Sequence, residues 1–261
     1  MDNGALMVTP FTRTRIPLGL ALLLTLASLP LAGPTHARNW GSVDFKLASE
    51  GMLAAQRVSD ACDTPASYRR LRDGETLTSD ESFLVYEDTL EDDPVFRIEL
   101  DRYDDEGGEV TQHELVLDGH TLRPLLSGQR QPGTQTWSKT RYDRDEATVM
   151  IPGEETRHLR IGNDTVEFLA AQLLFLKFLD DDDRMRFSFL FGDVLYHFHA
   201  NLKGSETVIL GSTSYETVHV VCKMRGTWYH LAPALHFWIE AAPPHRLVRY
   251  QSRREVVELV E

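Results

Sequence analysis

The sequence predicts a mainly β protein: a strongly curved antiparallel sheet, an open or partial barrel, wrapped around one apolar helix, with a second helix near the N-terminus. Three observations predict it. From Ser82 onward apolar residues recur at every second position. One hairpin dictates its own register. And one stretch, 168–179, is apolar on nearly every side, so it must be enclosed.

The first segment reads as an address. Arg13 and Arg15 precede an apolar stretch over 16–31, and Thr35-His36-Ala37 offers small residues where a signal peptidase cuts, so cleavage is expected before Arg38. The apolar core is short and ends in Pro30, Gly33 and Pro34, which disfavours an anchor helix. Residues 1–37 are therefore expected to be a signal peptide and the protein periplasmic. Losing Arg13, Arg15 and Asp2 from 27 basic and 40 acidic side chains leaves 25 and 39, a formal charge of −14. Such a surface suits neither nucleic acid nor an anionic bilayer. No later apolar run has the length of a membrane-spanning helix.

The mature chain opens with an expected helix over 42–61, where Phe45, Ala48, Met52, Ala55 and Val58 recur at three- and four-residue steps. Residues 62–81, polar and containing Pro65 and Gly74, read as a connecting segment, so 38–81 precede a β-rich domain over 82–261. Phe96, Ile98 and Leu100 alternate with Arg97, Glu99 and Asp101, and Asp105-Glu106-Gly107-Gly108 supplies a turn before a strand through Leu115 and Leu117. More short alternating runs occupy 134–161, broken at Pro152-Gly153.

Asp164-Thr165-Val166-Glu167 has capping-box spacing, which starts the apolar helix at 164. After it, Met185, Phe187, Phe189 and Phe191 alternate with Arg184, Arg186 and Ser188, and Gly192-Asp193 suits a two-residue type II′ turn. If Phe191 opposes Val194, then Phe189 opposes Tyr196, Phe187 opposes Phe198 and Met185 opposes Ala200, so every pair on that face is apolar. Further strands are expected at 205–211, 215–225, 234–240 and 245–259.

Chemical signatures are sparse. His197 and His199 share one strand face and form a weak metal candidate, but the hairpin register places Ser188 and Arg186 opposite them. Asp180-Asp181-Asp182-Asp183 reads as a solvated loop rather than a calcium site. Glu155-Thr156-Arg157-His158 has a di-iron spacing but sits in an expected strand, where its ends point apart. No nucleophile elbow, phosphate loop or zinc helix occurs, so no catalytic residue and no cofactor are assigned. Cys62 and Cys222 enter a compartment that permits a disulfide, which would close a loop worth at most roughly 5 kcal/mol; two buried thiols are the alternative.

The aromatic residues carry the functional expectation. Phe168, Phe175, Phe178, Phe187, Phe189, Tyr196, Phe198, Trp228, Phe237 and Trp238 crowd the C-terminal half. They form either the core between helix and sheet or the lining of a cavity for an acyl chain or other apolar ligand.

The apolar stretch 164–179, the Gly211-Ser212-Thr213-Ser214-Tyr215-Glu216-Thr217-Val218 segment, Trp228, Phe237-Trp238-Ile239 and Pro244-His245-Arg246-Leu247-Val248 together resemble an exported bacterial family, the domain of unknown function 3108. His245 departs from its usual proline, apolar residue, arginine pattern. The resemblance spans less than half the chain and brings no catalytic residue. It implies a periplasmic, β-rich domain similar in shape to open-barrel lipoprotein carriers. Non-enzymatic binding of an apolar ligand or lipidated partner is the leading expectation. A ligand-free envelope interaction protein is the second, and a metal-dependent hydrolase on His197 and His199 the third.

Overall fold

Two long meanders, zipped together by the last strand, make up the protein. The computed structural model describes residues 46–47, 58–103, 109–130, 137–179, 183–191, 194–226 and 232–260, all within one compact unit, Trp40–Glu261. Sixteen strands are found among them. The first meander comprises β2 (Ala66–Arg72), β3 (Glu75–Leu90), β4 (Asp93–Tyr103), β5 (Glu109–Asp118), β6 (Pro124–Arg130), β7 (Trp137–Tyr142), β8 (Glu146–Met150) and β9 (Arg157–Arg160). The second comprises β11 (Arg184–Phe191), β12 (Val194–Leu210), β13 (Thr213–Met224), β14 (Leu235–Glu240), β15 (Leu247–Gln251) and β16 (Glu255–Val260). Each pairs antiparallel with its successor, and β16 pairs with β2, making one sheet. Two short strands break the antiparallel rule: β1 (Lys46–Leu47) and β10 (Thr165–Val166) both lie parallel to β11.

The sheet is curved but not closed: β9 and β11 carry no backbone ladder between them. Side chains fill the interval instead. Tyr142 of β7, Ala147 and Val149 of β8, Ile161, and Leu190 of β11 form one buried cluster, with Leu159 and Leu195 packed against it. Apolar contact needs no register, so this seam tolerates strands that do not meet.

The hairpin register read from the sequence is the observed one, from Met185 opposite Ala200 to Phe191 opposite Val194. The turn residues Gly192 and Asp193 lie outside the described residues, as do the turn at 104–108 and Asp180 to Asp182. The strand expected at 205–211 is the continuation of β12, bent where Leu202 gives way to Gly204 in the pairing. Gly204 has φ +131, a conformation that β-bulges assign to glycine.

Three expectations are corrected. Residues 62–81 are not a connector: β2 and the start of β3 occupy them, in the middle of the sheet. Asp73 and Gly74 both have positive φ (52 and 85), which identifies Asp-Gly as a two-residue hairpin turn. Within the expected N-terminal helix, Lys46–Leu47 form a strand, Val58 and Ser59 are helical, and the rest lies outside the described residues. The capping box does not form. Thr165–Val166 join the sheet, and the helix shrinks to α1 (Ala171–Phe175) between 3-10 turns Phe168–Ala170 and Leu176–Leu179. Asp164 and Glu167 fail as caps because better partners stand nearby. Among the described residues no helix is long and apolar enough to cross a membrane.

Candidate functional site

Alternation along the strands turns one apolar row of each toward the helical segment. Phe175, Phe187, Phe189 and Phe237 are at most 2% exposed, and Phe178 and Phe198 are also buried. The rings touch. Phe175 meets Phe237 at 4.8 Å, Phe187 meets Phe189 at 4.8 Å, and Phe189 meets Phe198 at 5.2 Å. Each such pair adds about 0.5–1.5 kcal/mol beyond its burial. Above this floor lies a rim of rings that keep partial exposure: Phe168, Phe191, Tyr196 and Tyr250. Phe168 is its hub, with Phe189 at 5.5 Å, Tyr250 at 5.9 Å, Phe191 at 6.0 Å and Phe237 at 6.4 Å.

Of the expected lining residues, Phe168, Phe175, Phe178, Phe187, Phe189, Tyr196 and Phe198 are thus brought together. Trp238 is not. It neighbours Phe237 in sequence, so it projects from the opposite face, where it stacks on His219 at 4.4 Å and its indole N–H donates to Glu206. Trp228 lies outside the described residues.

A second site escaped the sequence reading. Tyr250 opposes Val257, and Val257 opposes Arg70, so the aromatic row continues across β15 and β16 into charge on β2. Glu81 accepts from Arg70 Nε at 2.8 Å and from Arg102 Nε at 2.8 Å. Glu255 pairs with Arg70 and stands 4.0 Å from Arg72. The result is an alternating ladder, Arg102, Glu81, Arg70, Glu255, Arg72. Its glutamates are nearly inaccessible, at 4% and 2% exposure. Beside it, burial and then the Arg102 charge push His113 down to about 4, so that imidazole is neutral at physiological pH. Burial raises the Tyr250 hydroxyl to about 12, keeping it protonated. With 62–81 read as a connector, neither Arg70 nor Glu81 had a strand face; the Asp73-Gly74 turn was the signal that could have assigned one.

Three more groups need placing. Glu167 accepts from Ser127 Oγ at 3.0 Å and from the Tyr142 hydroxyl, and burial raises its carboxyl to about 7. Ser188 donates to Asp164 at 3.1 Å and meets His197 Nδ1 at 2.7 Å. These are the residue types of a hydrolytic triad in the wrong order, because the serine stands between the other two and is fully buried. Their effect is to hold the β10 segment onto β11. His199 opposes Arg186 as expected, and burial, then Arg225 and Lys223, lower its pKa. Among the described residues no cluster of His, Cys, Asp and Glu is placed to hold a metal ion.

The cysteines are not bridged. Cys222 is fully buried between Ala200 and Leu235, while Cys62 is half-buried near Glu87; both are free thiols. Cys222 sits on β13 and Cys62 just before β2, with β14, β15 and β16 between those two strands in the sheet.

No protein-family model matches the chain, so the resemblance to the domain of unknown function 3108 is not supported. No curated protein matches it. Among solved structures the chain is similar to a beta-barrel-like protein of domain of unknown function DUF1849 from Brucella abortus, with 11% identity, 76% of this chain and 95% of that one covered, and a TM-score of 0.48.

Proposed function

We propose that this is an exported, periplasmic, non-enzymatic binding protein that takes an apolar ligand or a lipidated partner between sheet and helix. One observation carries the reading: the partly exposed aromatic rim of Phe168, Phe191, Tyr196 and Tyr250 set over a buried aromatic floor. A contiguous set of apolar rings that keep partial exposure is the kind of surface a ligand site presents. The segment bearing Phe168 has no side-chain cap at its start; Glu167, which precedes it, accepts from Ser127 and Tyr142 instead. An acyl chain entering at the rim exchanges ring–ring contact for ring–chain contact at small net cost.

The test is titration with the neutral apolar dye N-phenyl-1-naphthylamine, alongside native mass spectrometry of protein taken from its own cell envelope. Saturable one-to-one binding, lost in Phe168→Glu while the fold is retained, is expected. Absence of saturable binding and of any retained apolar molecule defeats the proposal. The second reading, a ligand-free envelope interaction protein, draws on the floor rings already filling each other's space. In-cell crosslinking that traps one protein partner, with no lipid recovered, favours it.

A further inference from the structure

The interval between β9 and β11, where no backbone ladder runs, is crossed by the chain itself. Ile161 N–H donates to Asp145 O at 2.9 Å, and three residues later Asp164 O accepts from Ser188 N–H of β11 at 2.8 Å. The chain then runs through Glu167 into the 3-10 turn Phe168–Ala170, which has no side-chain cap. Such a turn has poorer hydrogen-bond geometry than an α-helix, so it depends on what anchors it. Glu167 reaches back to the first meander, accepting from Ser127 of β6 at 3.0 Å and from Tyr142 of β7. Phe168, the next residue, is the hub of the rim. The bonds that fix Glu167 therefore also fix the rim's central ring.

The partners of that carboxyl are neutral donors: the two hydroxyls and the N–H of Phe168. Among the described residues no basic side chain forms a salt bridge with it. Arg141 and Asp143, on either side of Tyr142, lie on the opposite, exposed face. His113, two residues along β5 from the Leu115 that opposes Ser127, is neutral at physiological pH. Asp164 and His197 are engaged through Ser188, Tyr250 beyond Phe168 stays protonated, and Lys177 lies at the far end of the helical segment. Protonated, the carboxyl is well served here. Ionised, it is a charge kept from water with no cation beside it, which favours any conformation that gives it water.

We propose that Glu167 is the latch of the aromatic rim: protonated, it ties the Phe168 turn to Ser127 and Tyr142, and ionised, it leaves for water and carries the turn with it, opening the way between sheet and helix. The proposal rests on the apolar-ligand reading and adds its control. Acid shuts the site and neutral to alkaline pH opens it. With the carboxyl at about 7 while latched and at its ordinary 4.5 once in water, the balance moves toward the open turn by roughly 25-fold between pH 5.5 and pH 8.

Hydrogen exchange of the full mature chain, corrected for the intrinsic effect of pH on exchange, reads the opening in the amides of 168–179. Their opening constant should rise roughly 25-fold from pH 5.5 to pH 8, while the amides of β3 and β4 keep their protection. In Glu167→Gln, which keeps an acceptor and has no proton to lose, the rise should fall below about threefold. Tyr142→Phe keeps the ring and removes one bond, so at pH 5.5 its turn should be about fivefold more open than the parent's. Stopped-flow association of N-phenyl-1-naphthylamine should quicken about tenfold or more over the same range in the parent and not in Glu167→Gln. An opening constant that ignores pH, or responds equally in Glu167→Gln, overturns the latch and leaves the apolar reading to its own test. Exchange that responds as expected, with no saturable dye binding at either pH, upholds the latch and defeats the apolar reading. A dye rate that ignores pH while exchange responds overturns this turn as the way in.

Discussion

Tyr142 donates its hydroxyl to the carboxylate of Glu167, tying β7 to the residue that opens the aromatic turn. This bond crosses the interval that the backbone ladder leaves open. Burial raises Glu167 to about 7, so its proton is held more tightly in the folded chain than in the unfolded one, whose reference value is 4.5. Its contribution to stability is therefore complete below about pH 4.5, declines as pH rises, and is gone above about pH 7. The amplitude is on the order of 3 kcal/mol. Glu167→Gln should flatten this slope and make the protein more stable than the parent at pH 8. Urea unfolding of both proteins across that range checks it, and an unchanged slope in the variant refutes the assignment.

The aromatic floor makes a prediction of its own. Phe175 is fully buried and touches Phe178, Phe187 and Phe237, at 6.1, 5.8 and 4.8 Å. Phe175→Ala should cost about 3–5 kcal/mol, since a close-packed neighbourhood relaxes little around a lost ring. Denaturant midpoints measure this; a loss under about 1 kcal/mol shows a pliable interior instead.

Gly119 is fixed by a close approach of backbone. Its N–H donates to Pro94 O at 2.9 Å, and an added Cβ would stand 2.6 Å from that same oxygen. Gly119→Ala should destabilise by about 1–3 kcal/mol, because main chain rather than a side-chain tip must move. Gly128→Ala is the control: there the new Cβ meets the Trp137 ring at 2.9 Å, and a ring on an outer face can swing aside. Thermal melts should rank the two variants in that order.

Both thiols should be inert in the folded protein. Burial, with Glu87 and Asp63 beside it, pushes the Cys62 thiol up to about 12, and burial alone raises Cys222 well above its ordinary value. At pH 8 the Cys62 thiolate fraction is on the order of 10⁻⁴, and the thiolate is the reactive form. A thiol reagent should label neither cysteine in native protein and both in guanidinium. Labelling of neither after unfolding would reveal a bridge that this structure does not contain.

The register from Met185 to Ala200 was legible because the row of Phe187, Phe189 and Phe191 has one apolar partner set within reach of a two-residue turn. The enclosure of 168–179 was legible because the stretch has no polar face to give to water. The extent of the helix was not. Asp164 matches a cap pattern, yet its carboxylate finds Ser188, and Glu167 finds Tyr142 and Ser127, partners far away in sequence. The capping-box spacing competed with tertiary hydrogen bonds and lost. The ladder was hidden for a related reason: Arg70, Glu81, Arg102 and Glu255 look like surface charges until the strands that carry them are assigned a face.

By itself the sequence determined what its short-range patterns can encode: β-rich character, one hairpin with its pairing, one stretch that must be covered, and a charge balance hostile to nucleic acid. Tertiary structure alone decided that β16 closes onto β2, that Trp238 faces away from Phe237's cluster, and that an aromatic row runs into a buried ionic one. Periodicity acts over a few residues and is written locally, whereas strand order and the company a buried charge keeps depend on segments nearly two hundred residues apart, as Arg69 and Glu258 are, 189 positions from each other in the chain and 2.9 Å apart in the fold.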